Sequence, residues 1–243
     1  MAGTAFADVP KVTVDIAPVH SLVARVMDGL GVPELIVQRG ASPHEYSLRP
    51  SEAKALQDAD LVFWIGARLS PWLAGSIETL AADARATELM EASGTTELMS
   101  RNNALFEKHK HGDDDDKDAH EDHEDHEDHE DEAHEDHDGE SHEDHADEDH
   151  EDHAHGEHDP HAWLSPNNAM TWLNVIAGQL SAADPENAGT YFANAAAGRT
   201  EIEAVMAEVN AILEPVRGGQ FIVFHDAYQY FENDFSFPAA GAI

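Results

Sequence analysis

The chain has 243 residues, 13 of them basic and 50 acidic, for a formal net charge of −37. This balance excludes a nucleic-acid backbone or an anionic membrane surface as partner and favours cations. The absence of cysteine removes thiolate metal sites, disulfides and thiol catalysis together.

Near the start, Ala5-Phe6-Ala7 has the small-x-small spacing of a signal-peptidase site, with Asp8 as the first residue of an exported chain. No run is long and apolar enough to span a bilayer. Lys11–Ala17 reads as a strand stopped by Pro18. His20–Leu30 has helical spacing and ends at Gly29 and Gly31. Glu34–Val37 is a short apolar strand, and Arg39–Tyr46 a loop. Pro50–Ala59 is a helix opened by its proline. Leu61–Ile65 is a fully apolar strand, Ser70–Ala82 a helix and Ala86–Met90 another strand. This alternation predicts βα units and a parallel sheet covered on both faces.

A different kind of sequence follows. Between His111 and Asp159 stand thirteen of the eighteen histidines, interleaved with acids mostly as Glu-Asp-His triplets. Imidazoles beside carboxylates form a reservoir of borderline metal ligands. The tract has almost nothing to bury and is expected to lack fixed structure without metal. Its three-residue periodicity creates His-x-x-His spacings, but a zincin site needs those on a helix. Asp113–Lys117 is a protease-like recognition string and a nicking liability.

Beyond the tract, Ser165 caps and Pro166 opens a helix running to about Leu180. Pro185 opens a second helix to about Leu213, roughly 43 Å long at 1.5 Å per residue, suited to a rigid strut between two lobes. Gln220–Phe224 reads as a buried strand and Ala227–Asn233 as a short helix. The expected division is an α/β lobe over 8–184 that includes the loop 111–159, a linking helix over 185–213, and the start of a second α/β lobe over 214–243. One strand and half a helix fall short of a domain. The second lobe is therefore expected to be incomplete, with Gln220–Phe224 an uncovered apolar edge prone to aggregation.

Three histidines outside the tract stand where a strand or a loop gives way: His44, His161 and His225. In open α/β sheets that edge is where ligands bind. Three imidazoles there would give Zn²⁺ a first set of ligands, with a carboxylate, water or other residue in fourth place. Asp226, Asp159 and Glu45 are candidate acceptors for the second ring nitrogens. His20 reads as a structural helix residue and His109 as solvated surface. Within the tract, His120, His123, His126, His129, His134, His137, His142, His145, His150, His153, His155 and His158 are candidate weak sites. No glycine-rich phosphate loop or serine triad is apparent, and no clear general base accompanies the three histidines, so an enzyme is not expected.

The motifs Gly40-Ala-Ser-Pro-His44-Glu-Tyr-Ser-Leu-Arg-Pro-Ser51 with Leu61-Val-Phe-Trp-Ile-Gly66, Pro160-His161-Ala-Trp-Leu-Ser-Pro166, and Phe224-His225-Asp-Ala-Tyr-Gln-Tyr-Phe231 carry a resemblance. The sequence resembles the periplasmic zinc-binding proteins of bacterial high-affinity zinc ABC importers, the cluster A-I or cluster 9 solute-binding family, from about Val12 to the last residue. The acidic, histidine-rich insertion between the first two motifs is also typical of zinc members. The resemblance implies two α/β lobes joined by one long rigid helix that move little on metal binding. It implies His44, His161 and His225 as zinc ligands between the lobes, Zn²⁺ as transported cargo, and a monomer docking on a membrane permease. Two departures stand out. Many members take an acidic fourth ligand from the C-terminal lobe, and Ile243 comes before that position; a complete member would run on for roughly 70–80 residues, about half a typical domain. Others carry glutamate just before the first histidine, where this chain has Pro43.

Neutral imidazoles favour zinc over the harder Mn²⁺, Mg²⁺ and Ca²⁺, although Cu²⁺ and Ni²⁺ suit the same ligands. The loop is expected to act as a weak zinc reservoir or sensor, losing metal as its histidines protonate near pH 6.5, the ordinary imidazole pKa. A manganese or nickel solute-binding protein and a metal storage or chaperone protein are the alternatives.

Overall fold

The computed structural model describes residues 9–101 and 158–243. Ala5-Phe6-Ala7, His109 and the tract histidines from His120 to His155 lie outside the described residues.

The first half builds one parallel sheet. β1 (Val12–Val14) and β3 (Leu61–Trp64) are buried at every position. That is the burial expected of central strands with helices on both faces. β2 (Glu34–Leu35) and β4 (Arg85–Glu88) lie at the edges, giving the order β2-β1-β3-β4. Every pairing is parallel, with Thr13 opposite Glu34 and Val62, and Val62 opposite Ala86. The strand order reverses between β1 and β3. In a parallel sheet this opens a crevice at the carboxyl ends of the strands.

The buried carboxylate of Asp15 marks that reversal. It stands just past β1, accepts the Ile16 N–H at 2.7 Å and, across the switch point, the Ile65 N–H at 2.7 Å beyond β3. Burial pushes its pKa up to about 7 against those backbone hydrogen bonds.

Helices α1 (Ala17–Val26), α2 (Pro50–Gln57) and α3 (Pro71–Leu80) connect the strands. α1 buries Val19, Val23 and Val26, one face of a 3.6-residue period. Pro18 does not merely stop the preceding strand, as the sequence suggests; it lies in the first turn of α1, where its missing N–H costs nothing. α4 (Pro166–Ala183) is capped as expected, the Ser165 hydroxyl accepting the Asn168 N–H at 3.0 Å. Pro185 opens a 3₁₀ turn, and the long helix α5 runs over Ala188–Leu213, 26 residues. Its first half packs on α4 and α1 through Tyr191, Ala195 and Gly198. A methyl group at Gly198 would stand 3.1 Å from Leu173 Cδ1 and 3.2 Å from Arg25 Cγ, so the small residue permits this close approach.

Past α5 the chain forms β5 (Ile222–Val223), α6 (Gln229–Phe235) and β6 (Gly241–Ala242), with β5 and β6 parallel. The architecture is two-lobed α/β, with parallel sheets and a long joining helix. One expectation fails. Gln220–Phe224 is not a buried strand, because only Val223 is buried while Ile222 and Phe224 are exposed. The pairing of β6 with β5 had no sequence signal in its small residues.

Candidate metal centre

His44 sits in the β2–α2 loop, on the carboxyl side of the sheet. The Pro43 carbonyl accepts the Ser70 hydroxyl at 3.0 Å and the Trp72 indole N–H at 2.8 Å. Two donors on the preceding residue therefore fix the loop to the start of α3. Burial lowers the His44 pKa and the neighbouring His161 and His225 lower it further, against opposing pulls from the Leu69 backbone and Glu45. The ring is thus held neutral, with a lone pair free for a metal.

His161 begins the 3₁₀ turn Ala162–Leu164 that leads into α4, and it is buried. Its Nδ1 lies 2.7 Å from Asp159 Oδ1, and the same oxygen accepts the His161 backbone N–H at 2.9 Å. A carboxylate facing Nδ1 places the ring proton there and leaves Nε2 as the ligand atom.

His225 follows β5 and is exposed. Its Nε2 stands 3.2 Å from His161 Nε2. Zinc–nitrogen bonds of about 2.0–2.1 Å separate tetrahedral ligand atoms by about 3.3 Å, close to this spacing. The ring centroids of His44 lie 5.5 Å from His161 and 6.1 Å from His225, and those of His161 and His225 5.0 Å apart. One ligand atom from each lies within 4.8 Å of the others. A modest contraction would bring all three onto one ion.

Of the acceptors considered from sequence, Asp159 serves His161. Asp226 instead meets the Arg101 guanidinium, and Glu45 stays on the surface. His20 hydrogen-bonds the Pro33 carbonyl at 3.0 Å, a structural role as expected. His158 is the one candidate loop histidine among the described residues. Its Nδ1 meets Glu97 Oε2 at 2.5 Å, and its backbone bridges to Met99.

Sequence reading missed Arg101. Burial works against its charge, but hydrogen bonds to Glu232 and Asp226 outweigh that and raise its pKa. Its partners stand 125 and 131 residues away, so no local pattern signals them.

The family model for the periplasmic component A of the zinc-uptake complex, ZnuA, matches residues 12–243. The chain belongs to the ZnuA family. It is 45% identical over 232 residues to the high-affinity zinc uptake system protein ZnuA of Brucella abortus, covering 96% of this chain and 66% of that protein. To the protein of the same name from Paracoccus denitrificans it is 45% identical, covering 98% of this chain and 67% of that one. The chain thus spans about two thirds of the length of these relatives. Among solved structures, a zinc-bound ZnuA deletion mutant superimposes with a TM-score of 0.67 at 22% identity, covering 97% of this chain and 72% of that one. The Zn(II)-bound ZnuA-like domain of Streptococcus pneumoniae AdcA gives 0.63 at 20%, covering 96% and 66%. At these identities the two structures speak for the fold. ZnuA proteins are periplasmic, and membership places this chain in that compartment.

Proposed function

We propose that this ZnuA-family chain captures Zn²⁺ with His44, His161 and His225 and delivers it to the membrane permease of an ABC importer. It acts as a transport component and not as an enzyme. The observation that carries the reading is the convergence of three histidines from three separate loops, with one ligand atom of each within 4.8 Å of the others. Three imidazole nitrogens suit zinc and leave one position for water or a carboxylate. Manganese prefers oxygen, and this first set of ligands offers none. His161 is oriented in advance by Asp159, which lowers the cost of assembling the site.

The division of labour in this reading follows the chain. The described residues 9–101 and 158–184 belong to the lobe that presents His44 and His161. Residues 185–213 are the linking strut, and 214–243 begin the lobe that presents His225. The histidine-rich loop binds several ions weakly and serves as a zinc reservoir or sensor. Its charge of one sign attracts the cation from solution.

The test is zinc stoichiometry and affinity by chelator competition, comparing wild type, H44A/H161A/H225A, and a deletion of residues 112–157. A tight one-equivalent phase that the triple substitution abolishes and the deletion spares supports the reading. Loss of the tight phase on deletion would show that loop and cleft are not separate sites. Only weak binding in wild type would mean that this chain does not assemble the cleft.

A further inference from the structure

His225 is the least supported of the three histidines. It is exposed, and its ring meets His161. Its own carbonyl accepts the Ala227 N–H at 2.9 Å, a local turn that fixes nothing to the first lobe. Something else must hold this segment so that two imidazole nitrogens stand at a metal-ligand spacing.

The neighbouring residue supplies the grip. Arg101 Nε donates to Asp226 Oδ2 at 3.1 Å, and Nη2 donates to Asp226 Oδ1. The same guanidinium donates from Nη1 to Glu232 Oε2 at 2.8 Å and from Nη2 to Glu232 Oε1 at 3.0 Å. One arginine thus takes both oxygens of two carboxylates, one just after His225 and one inside α6. The cluster is half-buried to buried, with Glu232 only 6% exposed in its side chain. Paired forks of this kind fix direction as well as distance, which a lysine cannot do.

Arg101 also stands at a root of the histidine-rich insertion. Next to it, the Leu98 N–H hydrogen-bonds the Tyr230 hydroxyl at 3.0 Å, and the Asp159 N–H donates to the Leu98 carbonyl at 2.8 Å. The Tyr230 hydroxyl donates to the Asp159 carbonyl at 2.9 Å. The neck therefore touches both sides of the site. Asp159, at one root, orients His161, and Arg101, at the other, holds the residue beside His225.

We infer that Arg101 is a positioning residue for His225, setting the distance between the C-terminal segment and His161 through Asp226 and Glu232. The inference rests on the reading of the three histidines as zinc ligands. Without the guanidinium, two carboxylates face each other unneutralised, the segment moves outward, and His225 leaves ligand distance. Partners that orient a metal ligand typically contribute about 10–100-fold in affinity, and that is the loss expected for Arg101→Met in tight zinc binding.

The test is a double-mutant cycle on the full chain, read by zinc competition and by the visible spectrum of the Co²⁺-loaded protein, which reports coordination geometry. Arg101→Met is expected to weaken the tight phase and alter the Co²⁺ spectrum toward that of His225→Ala. In the His225→Ala background Arg101→Met is expected to cost nothing further. An additive loss in that background overturns the inference, as does unchanged affinity in the single variant. If Arg101→Met fails to give a cooperative melt, Asp226→Asn cuts only the grip beside His225. Its smaller loss must likewise vanish in the His225→Ala background. Should His225→Ala itself leave tight binding intact, the three-histidine reading fails; should it weaken binding while Arg101 does not couple to it, only the role of Arg101 fails.

Discussion

Leu61–Trp64 and Phe221–Phe224 are both short, wholly apolar runs, and each leads toward the metal centre. In the first, all four residues are buried. In the second, Val223 is buried while Ile222 is 61% and Phe224 85% exposed. β3 lies between β1 and β4 in a four-stranded sheet, whereas β5 pairs with β6 in a two-stranded one. Burial is set by what covers a strand, not by its composition. The consequence for the site is asymmetry. His161 is buried and held by a carboxylate, while His225 rides on a segment tied down mainly by α6 and the Arg101 cluster.

The largest difference between the two runs should appear in stability. Phe63→Ala removes a fully buried aromatic side chain and should cost about 3–5 kcal/mol in denaturant unfolding. A cost below about 1 kcal/mol would mean that the sheet is not the stable half of the molecule.

Next in size is the pH response of Asp15, which ties β1 to β3. Its pKa is raised from 3.8 to about 7 in the folded chain, so between those values the folded state holds a proton that the unfolded state has lost. Stability is therefore full at low pH and lost as the pH rises through that window. From about pH 5 to pH 8 the loss is roughly 3 kcal/mol. Asp15→Asn cannot titrate and sacrifices an acceptor for one backbone N–H. Its stability relative to wild type should therefore rise by roughly 3 kcal/mol from about pH 5 to about pH 8. Urea unfolding of the metal-free proteins at both pH values checks this, and parallel wild-type and variant curves would refute it.

At the site, Asp159→Asn should weaken tight zinc binding by about 10–100-fold, because the charged acceptor that fixes the His161 tautomer becomes a weaker, neutral amide oxygen. Chelator competition measures the change. An unchanged affinity would show that burial alone orients His161 and that the two halves of the site are less different than they look.

What could be read from the sequence follows the same line. The sheet is legible because β3 is a fully apolar run and short strands alternate with helices at βα spacing, the pattern of a covered parallel sheet. His44, His161 and His225 were legible because each stands where an element gives way at the ligand-binding edge. The burial of Gln220–Phe224 was misread because a short apolar run says what a strand could bury, not whether anything lies over it. Pro18 signals a strand end in the sequence and lies in the first turn of α1 in the fold, since proline fits both roles. Arg101 was invisible because its meaning lies in carboxylates on the far side of the tract. Asp226 is a candidate outer acceptor by its place beside His225, and sequence proximity does not reveal that a distant guanidinium also holds it.

The smallest predicted effect is the sharpest check on the exposed run. Phe224 immediately precedes His225, yet its side chain is 85% exposed. A phenylalanine in water at that position stabilises little, and substitutions at such surface sites usually stay within about 0.5 kcal/mol. Phe224→Ser should therefore leave unfolding stability almost unchanged. It should also leave the affinity for one zinc ion as in wild type, because the exposed Phe224 ring is no part of the three-histidine cluster. Self-association should fall, since the exposed Ile222, Phe224 and Tyr228 line one cavity with His225 and the substitution removes the most exposed of the three. Sedimentation alongside urea unfolding separates these outcomes. A stability loss well above about 1 kcal/mol would show that in solution the segment after α5 packs against the rest of the chain as β3 does, and the contrast between the two runs would then be one of degree.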